Sequence, residues 1–377
     1  MGFTKQQFQA IAYLAGITIG AGVLTLPYVF SRVGIALGTV EMIVVWIIVL
    51  LITLYLAEIV LRTKGDHEVT GLAEKYIGKK GKLLLVAVSI LYIYGALLAY
   101  SVGLGEAVYG LFGTMHFINS IIFFLLLAAV VFFGLKVVTK AEVFLTPFIF
   151  LIIIVLFFYA FDKIDTANYT GYYPSNVLIP LGPLFFALLG FWCVPDMKRI
   201  IKDNRKLKST IIFGVTLIAV SYLLLILVVV GVSGQETTQL FSIGLTKWVN
   251  HGVGKLVHLF TIFTLTTSFM GLGFTLKEIY ELDYGWSNSV AWCATFGVPF
   301  ALLFFIKRDF LSIISITGAV ASVFVLGILI MMFHKAKKKG DRKPEFSMPI
   351  PLWLNMLILL FCIIIAVQTV WSYVLYS

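Results

Sequence analysis

Twelve residues near the N-terminus, Gly16 to Pro27, read GITIGAGVLTLP and lie in the middle of the first apolar segment. Three glycines in seven positions and a proline five further on weaken a helix at one spot, because glycine leaves the backbone free and proline removes a donor and crowds the preceding turn. A break is expected here. In hydrocarbon, freed N–H and C=O groups are tolerated only against protein or a water-lined cavity, so a break this deep implies a site for something polar. Freed N–H groups at a positive helix end suit a carboxylate, and freed carbonyls suit an ammonium or a small cation; an amino acid zwitterion presents both. The competing structural reading is that small residues merely let helices pack closely.

A second interrupted segment answers the first. Residues 179–199 read IPLGPLFFALLGFWCVPDMKR, with Gly190 inside the apolar run and Pro195 near its end. Breaks at corresponding places in two inverted halves mark a transport site near mid-membrane. Two carboxylates, Glu41 and Glu106, also sit inside apolar segments, each about 7–11 Å from the outer end at 1.5 Å per residue. Intramembrane acids are costly enough to suggest proton handling, and a snorkelling interfacial glutamate is the alternative. Lys136, Lys140 and Glu142 flank the start of the fifth segment and read as interfacial anchors. Cys193, Cys293 and Cys362 show no ligand spacing and read as buried inert thiols. No His-Glu-x-x-His, no Gly-x-Ser-x-Gly and no carboxylate pair within one turn of a segment centre points to an intramembrane enzyme.

The elements that must position these residues are set by composition. The 377 residues are 60% hydrophobic and 12% charged with mean hydropathy +1.03, far more apolar surface than one soluble core can hide. The fold class is an all-α polytopic membrane protein. Apolar segments fall at 8–30, 34–61, 83–112, 117–135, 141–161, 177–195, 209–232, 255–282, 289–306, 310–333 and 351–374. These give eleven expected spans, each near or above the roughly 20 residues that cross about 30 Å of hydrocarbon. The basic clusters Arg62 to Lys82, Lys198 to Lys208 and Lys335 to Lys343 all fall on one side, which the positive-inside rule makes cytoplasmic. The N-terminus is then cytoplasmic, the C-terminus outside, and the location a multi-pass span of the cell membrane. The net charge of +10 follows from this topology and gives no support to nucleic-acid binding.

Two loops are expected to carry structure. Residues 66–80 suit a short amphipathic helix on the cytoplasmic face, and 233–254, with Leu240, Phe241, Ile243, Leu245 and Trp248, suit a cap folded back over the protein.

The stretches 10–30, 190–208, 267–278 (TSFMGLGFTLKE) and 298–311 resemble the aromatic and hydroxy amino acid permeases, within the amino acid–polyamine–organocation superfamily, over essentially the whole chain. The resemblance implies a single transmembrane domain over 1–377 with a leucine-transporter-like 5+5 arrangement, inverted repeats at about 8–161 and 177–333, and an extra helix at 351–374. It implies a substrate carboxylate on the amides of Thr18, Ile19, Gly20, Ala21 and Gly22. The amine would rest on carbonyls of Phe186, Ala187, Leu188, Leu189 and Gly190, with Phe186, Phe191 and Trp192 and the third-helix Tyr92, Tyr94 and Tyr100 shaping the pocket. By analogy with sodium-coupled relatives, carbonyls of Gly16 and Ile19 and hydroxyls of Thr267 and Ser268 form an oxygen-only set suited to sodium; back-bonding of those hydroxyls along their own helix is the alternative. The nearest permeases couple to protons, which would engage Glu41 or Glu106. Lys277, Glu278 and Ile279 depart from the family's usual eighth-helix ending. The expected activity is symport of an aromatic or hydroxylated amino acid driven by protons, or else sodium, with no cofactor and the lipid bilayer as surroundings. A non-transporting sensor on the same scaffold, like the spore-germinant proteins, is the alternative; the oligomeric state is left open.

Overall fold

A computed structural model of the chain describes residues 3–305, 310–348 and 352–375. Residues 306–309 of the 298–311 stretch, and residue 351 at the start of the expected last span, lie outside the described residues. All regular structure among the described residues is helical. The first span is two helices, α1 (Lys5–Thr18) and α2 (Ala21–Val33), bent by 61° where they meet. The helix start is set locally: Thr4 Oγ1 accepts the Gln7 amide at 3.4 Å while Gln7 Oε1 accepts the Thr4 amide at 3.2 Å.

Helices α3 (Ile35–Arg62), α4 (Val69–Ile77), α5 (Lys79–Phe112), α6 (His116–Phe132) and α7 (Leu135–Ala160) follow. The sixth segment is α8 (Leu181–Leu188), an irregular stretch with a single 3₁₀ turn at Phe191–Cys193, and α9 (Val194–Ile200). Beyond it lie α10 (Leu207–Ser233), α11 (Phe241–Gly244), α12 (His251–Glu278) with a π-helical extension Ile279–Asp283, α13 (Asn288–Leu302), α14 (Phe310–Lys339) and α15 (Leu352–Leu375). Eight described helices are long and apolar enough to cross a membrane, or nine when the bent α1–α2 pair counts as one span. The fourth and ninth expected spans are the shorter α6 and α13, of 17 and 15 residues, so the count of eleven stands only if both cross.

The chain's two ends are held by different bonds. At the basic end, Asp341 N donates to Arg62 O at 2.8 Å, Lys198 Nζ to Gly65 O at 3.1 Å and Lys202 N to Gln6 Oε1 at 3.3 Å. This gathers the three basic clusters on one face. At the other end, Tyr173 N donates to Val33 O at 3.1 Å and Asp165 N to Gly231 O at 2.9 Å. The amphipathic helix expected in 66–80 is α4, which buries Val69, Leu72, Ala73 and Tyr76. The expected cap at 233–254 inserts Phe241 and Leu245, both buried, while Ile243 and Trp248 stay 42% exposed.

Two side-chain expectations need correction. Cys293 is exposed on α13, because the short helix turns that face outward, while Cys193 and Cys362 are buried as expected. Glu142 is no interfacial anchor: it is fully buried, covered by α1, whereas Lys136 and Lys140 on the same helix are exposed.

Candidate functional site

The two breaks face each other at the centre of the molecule. A Cβ at Gly22 would lie 2.6 Å from Ala187 Cα, and one at Gly190 would overlap the Thr18 hydroxyl, so glycine at both positions is what lets the two backbones touch. The first break exposes backbone at two helix ends. The amides of Ile19 and Gly20 are spent on Ala15 O at 2.7 Å and Thr18 O at 3.0 Å. Gly20 caps α2 with no side-chain hydrogen bond, which leaves the Ala21 and Gly22 amides as the orphan donors of that N-terminus. Within the Thr18–Gly22 set, these two amides are the ones open to an anion.

The freed carbonyls are held by tyrosines. Tyr222 on α10 donates to Thr18 O and Ala187 O, each at 2.9 Å, so one hydroxyl joins the ends of α1 and α8. Tyr92 donates to Phe186 O at 3.3 Å, Gly190 N to Leu188 O at 2.8 Å and the Cys193 thiol to Gly190 O at 3.0 Å. Leu189 ends α8 and its amide returns to Phe185 O at 3.0 Å. Tyr100 stands over the first break, where a Cβ at Gly20 would lie 2.9 Å from its hydroxyl. Tyr94, placed with them by sequence, instead donates to Ala294 O on α13 and lies away from the site.

An aromatic wall closes one side. The ring centroid of Tyr92 is 5.2 Å from Phe186 and 6.2 Å from Trp192, and Phe191 is 4.5 Å from Trp192. The Trp192 indole N–H is buried with no acceptor among the described residues. A buried donor without a partner costs about 1–3 kcal/mol, which marks Trp192 as a group able to gain a ligand bond.

The expected cation set is engaged with itself. Ser268 Oγ donates to Gly16 O at 2.8 Å, and Thr267 Oγ1 bonds back to Phe263 O and Thr264 O at 3.0 Å each, the helix-internal alternative. Ile19 is buried beside them at the end of α1. Both candidate acids lie away from the breaks. Glu106 pairs with His116 Nδ1 at 2.9 Å and lines a groove of about 330 Å³ with Tyr109, Lys255 and His258 at the end opposite the basic loops. Glu41 is buried on α3 with both carboxylate oxygens unpartnered.

At the basic end the breaks are fastened by a network that sequence reasoning missed. Arg199 on α9 reaches Glu68 at 2.8 Å, the cap residue of α4, and also pairs with Asp196 and with Glu278 at the end of α12. Tyr13 on α1 donates to Asp196 Oδ2 at 2.8 Å. The three carboxylates converge closely enough to hold a cation, and the guanidinium fills that role. The available signal was the departure at Lys277–Ile279: Glu278 there serves Arg199, and Lys277 pairs with Glu281 at 3.1 Å.

The chain is 24% identical to tyrosine-specific transport system 1 of Haemophilus influenzae, over 94% of this chain and 93% of that protein. It is 23% identical to glutamine transporter 2 of Aliivibrio fischeri, over 88% and 89%, and 24% identical to spore germination protein B2 of Bacillus subtilis, over 77% and 84%. The tryptophan/tyrosine permease family model matches residues 4–369, and with two broken spans meeting at a tyrosine-bridged centre in a multi-pass membrane fold, the chain belongs to that family of permeases.

Proposed function

We propose that the protein is a secondary active transporter that brings an aromatic or hydroxylated amino acid into the cell by proton symport and alternating access. The observation that carries the reading is the pair of facing breaks, with open amides at Ala21 and Gly22 and carbonyls at Thr18, Phe186 and Ala187 a short distance away. These are complementary to the two ends of a zwitterion. The aromatic wall with the single unpaired donor of Trp192 supports a flat or hydroxyl-bearing side chain. In this reading the basic end faces the cytoplasm, the expected inverted repeats rock about the site, and the Arg199 network is the gate on the cytoplasmic side.

Coupling to protons is favoured over sodium because the Ser268 hydroxyl points its proton at the Gly16 carbonyl, so two of the four expected oxygen ligands are turned toward each other. The test is counterflow of tritiated amino acid in liposomes, with a competition panel of all twenty. Inhibition by tyrosine, tryptophan, serine or threonine is expected; potent inhibition confined to lysine or glutamate defeats the substrate class. Binding without counterflow makes the protein a receptor, and accumulation that vanishes when choline replaces sodium transfers coupling to sodium.

Tyr222 gives a sharper check on the site. In Tyr222→Phe the two carbonyls lose their shared donor at a cost of about 1–3 kcal/mol. The initial rate of uptake should fall roughly ten- to hundredfold with the protein still monodisperse in detergent. An unchanged rate separates Tyr222 from the transport cycle.

A further inference from the structure

Among the described acids outside the Arg199 network, Glu142 is one that lies directly against a broken helix. Its carboxylate lies against Gly16 in the last turns of α1 so closely that a methyl group at that position would overlap it. Gly16 is therefore a cradle: its bare Cα admits the carboxylate from α7, while its carbonyl is held from the other side by Ser268 of α12. The side chain is fully buried, and neither oxygen has a hydrogen-bond partner among the described residues. The neighbouring Thr146 hydroxyl gives its proton to Ala12 O at 3.1 Å, which leaves a lone pair that can accept.

We propose that Glu142 carries the coupling proton, holding it while α1 is docked on α7 and losing it when α1 swings away. The proposal deepens the proton-coupled reading above and rests on it. A carboxylate in this place would be stripped of water, would have only the Thr146 hydroxyl beside it to turn a proton its way, and would face the negative C-terminal end of α1, whereas a neutral carboxyl can itself donate to Thr146 Oγ1. The docked arrangement and the bound proton therefore favour each other, which is the reciprocity that coupling requires.

Release breaks the O–H bond at Glu142 and hands the proton to water. An open groove of about 530 Å³ flanks α7 along Gln9, Lys136, Thr139 and Lys140, within a turn of Glu142 along the helix, and gives that water a route. The Cys193 thiol, in the turn of the second break, is near enough to feel the charge of Glu142. Tyr13 on α1, Asp196 on α9 and Glu278 on α12 are engaged in the Arg199 network; Tyr222 on α10 bonds the two breaks, Lys208 lies at the basic end of α10, and His116 on α6 and His258 on α12 lie at the far end. Glu41 and Glu106 are the competing acids, and neither is in contact with α1 or α8 among the interactions described.

The experiment uses the full chain in sodium-free liposomes with an inward pH gradient and tritiated tyrosine, or the strongest amino acid from the panel. Glu142→Gln, which imitates the proton-bound form, should keep counterflow within about twofold of wild type while gradient-driven accumulation falls about tenfold or more and the pH profile of exchange flattens. Glu142→Asp should keep driven accumulation. Wild-type accumulation and proton flux in Glu142→Gln would overturn the assignment. If that variant does not fold, carbodiimide labelling of the wild type during turnover decides: an adduct at Glu142 that diminishes as pH rises supports the proposal, and an adduct at Glu41 or Glu106 with none at Glu142 overturns it. Wild type that exchanges amino acid without responding to the pH gradient sinks the proton reading itself, which is a separate result from a silent Glu142.

Discussion

Replacing Gly22 by leucine is expected to abolish uptake while leaving expression and membrane insertion intact. The magnitude follows from what surrounds the position. The first carbon of any side chain at Gly22 would lie 2.6 Å from Ala187 Cα and 2.9 Å from Ala187 N, and backbone cannot step aside as a flexible side chain can. The two breaks would be pushed apart at the point where the Ala21 and Gly22 amides face the second helix. Overpacking alone costs about 1–3 kcal/mol, and the leucine would also occupy the ground proposed for the substrate carboxylate. Counterflow should fall to background. Gly20→Leu should act in the same direction less steeply, since its first contact is the Ser268 hydroxyl at 2.6 Å, a side chain with some freedom to turn. Wild-type counterflow by Gly22→Leu would remove the site from the first span.

The two breaks were legible because they are local events: glycine and proline disturb a helix wherever they stand, so Gly16–Pro27 and Gly190–Pro195 declared themselves in a linear reading. What holds the breaks together was not, since Tyr222 lies 204 residues from Thr18 and an apolar segment with one tyrosine gives no hint of its acceptor. Glu142 was misread for a related reason. Two residues past Lys140 it looks interfacial, and only the packing of α1 over that face, permitted by Gly16, makes it buried. Span counting suffered from geometry too: α6 at 17 residues is about 26 Å long, short of the roughly 30 Å a straight crossing needs. Of the amides the resemblance named, those of Ile19 and Gly20 are engaged with Ala15 O and Thr18 O, and only Ala21 and Gly22 stand at the uncapped start of α2.

Removing the guanidinium in Arg199→Ala is expected to be the most damaging change at the basic end. Glu68 and Asp196 are buried and Glu278 nearly so, and all three take their positive partner from this one side chain. Stranding buried carboxylates without their cation costs about 3–5 kcal/mol. Arg199→Lys should recover only part of the loss, because an ammonium lacks the second nitrogen with which Arg199 also holds Glu278. The loss has a pH signature. Burial, with the like charges of Asp196 and Glu278 beside it, holds the Glu68 carboxyl well above the usual carboxylate range, and Arg199 pulls it back. Without Arg199 the upward displacement grows. An acid raised in the folded state contributes most where it is protonated, below its unfolded value of about 4.3, and that contribution is lost as pH rises through the folded value. The melting temperature of Arg199→Ala in detergent should therefore lie closer to wild type at pH 5 than at pH 8, with counterflow following the same order. A deficit that widens on acidification would mean that Arg199 is not the counter-charge of these carboxylates, and the proposed gate at the basic end would have to rest on other bonds between α1, α4, α9 and α12.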